Sequence, residues 1–279
     1  MKLLCMLLLF MSLLTQAQTT RVLIVGDSWA KLQLDNGSHV TVFSNNGYAD
    51  IFVNGTNTAR DESEASEWAM PSDLGIISDA LIANPDIDTV QLTIGGYDFL
   101  NNWSINMSAM DEMDLQQQVS TDISTVVNFI LLQDPNIEII LSFYDYPNYV
   151  DTIEGLSGFD CNNYLTDMGL PTTTQLNTAI VEFENIYAQI AANNPRVHHV
   201  SHFGLMQSFY GFPPGTLPGE ILPPGDLGLP SPVPSMLEIF PEVFDCNRLN
   251  STGYELLVQN LFDGYYQFRF DTIFKSSFE

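Results

Sequence analysis

The chain has 279 residues, 34 acidic against 8 basic, for a formal net charge of -26, and 45% of it is hydrophobic. That apolar content excludes a disordered acidic polymer and suffices for one sizeable core. The negative charge argues against a nucleic-acid backbone or an anionic membrane surface as partner.

Met1-Lys2 precedes the apolar run Leu3 to Leu14, and Thr15-Gln16-Ala17 follows it. One positive charge, a short apolar stretch and a small-residue cleavage site read as a signal peptide over 1–17, with a single domain over 18–279. The run is shorter than the about 20 apolar residues a membrane span needs. No later run is longer, so a secreted or periplasmic product with no integral membrane segment is expected. Cleavage removes Cys5 and leaves Cys161 and Cys246. An even pair in an oxidising compartment predicts a disulfide between them.

Five short apolar runs read as buried strands: Arg21–Val25, Val40–Phe43, Thr89–Ile94, Ile137–Phe143 and Val197–Val200. Helical spacing lies between and after them. Leu74, Ile77 and Leu81 mark one helix; Leu115, Val119, Ile123, Val126 and Ile130 mark a longer one. Leu176, Ile180, Phe183, Tyr187 and Ile190 mark a third, and Ser251 to Leu261 forms a last one. Alternating strands and helices predict an α/β three-layer sandwich with a parallel sheet, whose ligands sit beyond the carboxyl ends of the strands. Residues 211–234 hold more than half of the fifteen prolines and read as a loop beside those ends, placed to act as a lid. The aromatic tail from Phe268 to Phe278 reads as either an edge strand or an export-related tag. Asp61, Glu62, Glu64 and Glu67 lack calcium-loop spacing and read as a solvated face. No zinc spacing, phosphate-cradling loop or dinucleotide fingerprint is present, so neither metal nor cofactor is expected.

The chemistry-bearing segment is Gly26-Asp27-Ser28-Trp29, directly after the first strand. A serine there, at the start of a helix, has an exposed hydroxyl and amide donors beside it. Ser44-Asn45-Asn46-Gly47, Gly95-Gly96-Tyr97-Asp98 and Asp245-Cys246-Asn247-Arg248 follow in order. In order and spacing the sequence resembles the SGNH (GDSL-type) hydrolases. Their landmarks are a Gly-Asp-Ser block, a glycine after the second strand, a Gly-x-Asn-Asp block and an Asp-x-x-His block. The resemblance implies a five-stranded, flavodoxin-like sheet and esterase or acylhydrolase activity on ester bonds of lipids or acylated carbohydrates. It implies Ser28 and Asp245 as catalytic residues, and Ser28, Gly47 and Tyr97 around the oxyanion. The implied partner is a small-molecule, lipid or carbohydrate ester, bound by a monomer.

Two positions depart from the pattern. Tyr97 stands where the family has asparagine, and Arg248 where it has the catalytic histidine. A serine hydroxyl needs a base with a pKa near the working pH. A guanidinium, with a pKa above about 12, cannot take the proton. Loss of the histidine of a serine triad costs roughly six orders of magnitude. The expectation is therefore a secreted relative with impaired catalysis, or a non-catalytic protein that binds an anionic or glycan ligand in the Ser28/Arg248 pocket, with Arg248 free to pair with Asp245. The remaining histidines are His39, His198, His199 and His202. Of these, His202, at the end of the fifth strand, is the one a loop could bring to Ser28.

Overall fold

A computed structural model describes residues 18–152 and 158–276. The signal peptide expected over 1–17 lies outside the described residues. In chain order the elements are β1 (Thr19–Gly26), α1 (Ser28–Asp35), α2 (Ser38–Asn45), β2 (Ile51–Asn54), α3 (Ala65–Trp68), α4 (Pro71–Ala83), β3 (Thr89–Thr93), α5 (Gly96–Asn102), α6 (Ala109–Gln133) and β4 (Glu138–Ser142). Then come α7 (Gly158–Asp167), α8 (Thr173–Ala192), β5 (Val197–Val200), α9 (Leu205–Tyr210), β6 (Met236–Phe240), β7 (Val243–Leu249), α10 (Ser251–Leu261) and α11 (Gln267–Ser276).

Strands β1 to β5 form one parallel sheet in the order β2-β1-β3-β4-β5, the flavodoxin-like order expected from the resemblance. Side chains alternate across it. Leu23, Val25, Val90, Leu92, Ile139 and Leu141 pack with residues of α4, α6 and α8. Val22, Ile24 and Ile140 pack with Ala30 of α1, Val42 and Phe43 of α2, and Val258 and Leu261 of α10. Covered on both faces, the central strands are largely buried, which is why Val22 to Val25 of β1 read as an unbroken apolar run, whereas the edge strands β2 and β5 are mostly half-buried.

The second strand is not Val40–Phe43. That segment lies within α2, where His39, Val42 and Phe43 point inward and Val40 is exposed. A four-residue apolar run fits helical as well as extended spacing, so its periodicity does not separate the two. Ile51–Asn54 takes the edge position instead, paired to β1.

As far as it is described, the C-terminal aromatic segment is helical and not an edge strand. It continues α10 through a π-helical turn, Phe262–Tyr266, into α11. Phe270 is fully buried, with ring centroids 5.2 Å from Phe43 and 5.5 Å from Tyr266. Arg269 Nη1 bonds Glu138 Oε1 at 2.7 Å and fastens the helix to the start of β4.

The proline-rich stretch has no strand or α-helix between α9 and β6, as expected. Two buried amide side chains hold it. Gln207 Nε2 donates to Asp226 O and Leu229 O, and Asn177 Nδ2 donates to Leu227 O and Leu229 O. These bonds lay the loop against α8 and α9, and none of residues 211–234 lines the cleft at Ser28.

Candidate active site

Ser28 opens α1 immediately after β1, and Tyr97 lies in the first turn of the helix that follows β3. Strands β1 and β3 are neighbours although β2 lies between them in sequence, so the site occupies the crevice where strand order reverses. Two glycines permit the close approach. A Cβ at Gly26 would stand 2.1 Å from Thr93 O, and one at Gly96 would stand 2.2 Å from Tyr144 Cζ. Asp27 is the N-cap of α1: Trp29 N donates to its Oδ1 at 3.0 Å, and Tyr144 Oη donates to its Oδ2 at 2.6 Å. Burial pushes the Asp27 carboxyl up to about 7, against the lowering effect of the Tyr144 bond.

Ser28 is largely buried, not exposed as expected, and stands in the wall of an open cleft of about 400 Å³. Tyr97 and Leu100 line it from α5, and Asn163, Tyr164 and Asp167 from α7. Asp245, Asn247 and Arg248 line it from β7, with Glu62 from the loop after β2. Trp29 and Tyr144, stacked with centroids 4.3 Å apart, also line it. Trp29 Nε1 donates to Asn247 O at 2.9 Å and so ties α1 to β7. Burial, followed by the nearby Tyr97 and Glu62, pushes the Tyr164 hydroxyl up to about 12.

Four of the residues picked from sequence, Ser28, Tyr97, Asp245 and Arg248, thus share one cleft. Gly47 does not join them. It follows the end of α2, before β2 begins, and is absent from the cleft lining. The loop after the true second strand reaches Ser28 instead. Ala59 bridges Gly26, Arg60 N donates to Gly26 O, and Glu62 N donates to Ser28 Oγ at 3.0 Å. Glu62 has φ +56°, in the left-handed region that favours glycine. The amide donor beside the serine is therefore Glu62, a residue that sequence assigned to a solvated acidic face. Only the backbone conformation marks it, and no sequence spacing signals that.

Arg248 pairs with Glu62, Nη2 to Oε1 at 3.8 Å, and not with Asp245. Asp245 Oδ1 is occupied by the backbone N–H groups of Asn247 and Arg248, both at 2.7 Å. Asp98, the last residue of the third block, caps α3: Ala65 N donates to its Oδ2 at 2.8 Å. Burial raises that carboxyl to about 6.

None of the four histidines lines the cleft. His202 follows β5, three strand positions from β1, or roughly 14 Å at ordinary strand spacing. It is buried, its Nδ1 lies 3.0 Å from Asn260 Nδ2, and burial lowers its pKa to about 3. His39 is buried against Gln91, at 2.8 Å. His198 and His199 lie in β5, near Glu138 and Glu184 respectively.

The expected disulfide is present. Cys161 and Cys246 are bonded, both are buried, and both line the cleft. The bond joins α7, which carries Asn163, Tyr164 and Asp167, to the strand that carries Asp245 and Arg248. Among the described residues no cluster of metal-ligating side chains occurs, and no helix is long and apolar enough to cross a membrane.

No protein-family model and no curated protein matches the chain. Solved structures do. A Streptococcus pneumonia protein provisionally named a platelet activating factor superposes with a TM-score of 0.52 at 14% identity, over 91% of this chain and 86% of that one. A carbohydrate esterase family 3 protein from Talaromyces cellulolyticus gives 0.50 at 12% identity, over 91% of this chain and 99% of that one. At such identities the likeness is one of fold. The chain shares with these structures the α/β architecture whose strand ends hold the Ser28 cleft.

Proposed function

We propose that the chain is an exported member of the SGNH (GDSL-type) hydrolase family whose Ser28 cleft binds an acylated carbohydrate and is impaired in hydrolysing it. The order of the sequence blocks supports the lineage. So does the shared architecture with structures that include a carbohydrate esterase. The disulfide supports export, because such bonds persist in oxidising compartments.

One observation carries the loss of hydrolysis. Arg248 stands in the sequence where the family pattern has its histidine, and no imidazole lines the cleft. The bond at Ser28 Oγ comes from the Glu62 amide, a donor. A donor fixes the oxygen without taking its proton, so the hydroxyl stays a weak nucleophile. Partly exposed Tyr97 and Tyr164, with Asn163 and Asn247, offer the aromatic faces and amide groups that suit a sugar ring.

The test pairs a fluorophosphonate probe with calorimetry, using purified protein and Ser28→Ala as control. The reading expects no Ser28-dependent labelling, together with measurable binding of an acetylated oligosaccharide. Labelling that Ser28→Ala abolishes would instead assign a serine ester hydrolase, with Asp245 or Glu62 as its base.

A further inference from the structure

We propose that Glu62 sets the charge preference of the cleft: it is a built-in counter-ion for Arg248, and it makes the site select neutral ligands over anionic ones. This rests on the carbohydrate-binding reading and adds the ligand's charge class.

Three observations lead there. First, the Glu62 backbone is left-handed, a strain that a non-glycine residue keeps only where its surroundings hold it, and one that clusters at functional sites. Second, two roles of this residue are separable. Its amide serves Ser28 Oγ, as the amide of any residue at this position would, whereas its carboxylate alone reaches Arg248. The side chain is thus not needed for the amide contact, and glycine would suit the backbone better. Third, the charges facing the cleft are unbalanced. Among the described residues Arg248 is the one basic residue in the lining, against Glu62, Asp167 and Asp245.

An entering carboxylate or sulfate therefore meets a guanidinium already paired with Glu62, and two further carboxylates, Asp167 and Asp245, in the same cleft. It must displace Glu62 and approach like charges. A neutral sugar ester faces neither cost. Arginine at the base position would by itself suggest an anion site, and Glu62 cancels that suggestion.

The experiment uses Glu62→Gln, which keeps shape and removes charge, and Glu62→Gly, which also relieves the backbone strain and so retains the fold. Three probes are titrated by calorimetry at fixed ionic strength: an acetylated neutral xylo-oligosaccharide, a xylo-oligosaccharide carrying one uronate, and sulfate alone. The wild-type protein should prefer the neutral sugar. Each variant should shift the uronate-to-neutral affinity ratio, and the sulfate affinity, upward by about two- to fivefold, the range expected for a partly exposed ion pair. Glu62→Gln combined with Arg248→Gln should lose the gain. An unchanged ratio and unchanged sulfate affinity in both variants, or a gain that persists without Arg248, would overturn the proposal. If no oligosaccharide binds any form, the carbohydrate reading fails, while the sulfate titration still decides the role of Glu62.

Discussion

Replacing both cysteines, Cys161→Ala with Cys246→Ala, tests whether the disulfide supports the fold and the cleft together. The bond spans a sequence separation of 85 residues. In the chain-entropy model a loop of that length restricts the unfolded state by about 4.6 kcal/mol. Domains of 150–250 residues shift in Tm by roughly 2–4 °C per kcal/mol, so the double variant should melt about 9–18 °C below wild type. Truncating two buried side chains adds a smaller cavity cost in the same direction. Calorimetric melts measure the total. Native-state hydrogen exchange separates its parts, since loop entropy acts on the unfolded chain and raises exchange globally. Loss of the tether between α7 and β7 should in addition release amides of α7 ahead of those of β1 and β3. Binding of the acetylated oligosaccharide should weaken in step, because Asn163, Tyr164 and Asp167 stand on the freed wall. A melting shift below about 3 °C, with unchanged exchange in α7, would refute the reasoning.

Two further outcomes follow from the site. Asp27 is raised from 3.8 to about 7 by burial, so between those values the folded state holds its proton more tightly than the unfolded chain does. That contribution to stability falls as pH rises through the window, by at most about 4 kcal/mol. Asp27→Asn has no such proton, so its Tm relative to wild type should climb from pH 4 to 7 and level off above; parallel curves for the two proteins would count against the assignment. Arg248→His, alone or with Tyr97→Asn, should raise hydrolysis of p-nitrophenyl acetate at least about 100-fold over wild type, because an imidazole near its usual pKa of about 6.5 then faces Ser28. No increase in a folded variant would mean that the cleft lacks acyl-transfer geometry.

Hydrophobic patterning alone determined most of the sheet. Strands covered on both faces are mostly apolar, so β1 and β4 stand out as runs and β3 keeps buried Val90 and Leu92 among its polar residues; the edge strand β5, Val197-His-His-Val200, is only partly buried and gives a weaker signal, while the long helices α6 and α8 stand out as stripes. The glycine-bearing turns at 26 and 95–96 were legible for a related reason: close approach between strand ends and Tyr144 leaves no room for a Cβ. Those turns, together with the order of the blocks, placed Ser28, Tyr97, Asp245 and Arg248. What patterning could not resolve was any segment whose local signal is ambiguous until it meets a partner. Val40–Phe43 became helix because His39, Val42 and Phe43 share one face against the C-terminal helices, and Ile51–Asn54 became the edge strand by pairing with β1. Charge hid the rest. Glu62 sits in an acidic cluster, and only the left-handed turn that aims its amide at Ser28 and its carboxylate at Arg248 separates it from its solvated neighbours. Distance decided the histidine: strand order puts His202 three positions from Ser28, and strand order is a property of the assembled sheet that no local run of residues contains.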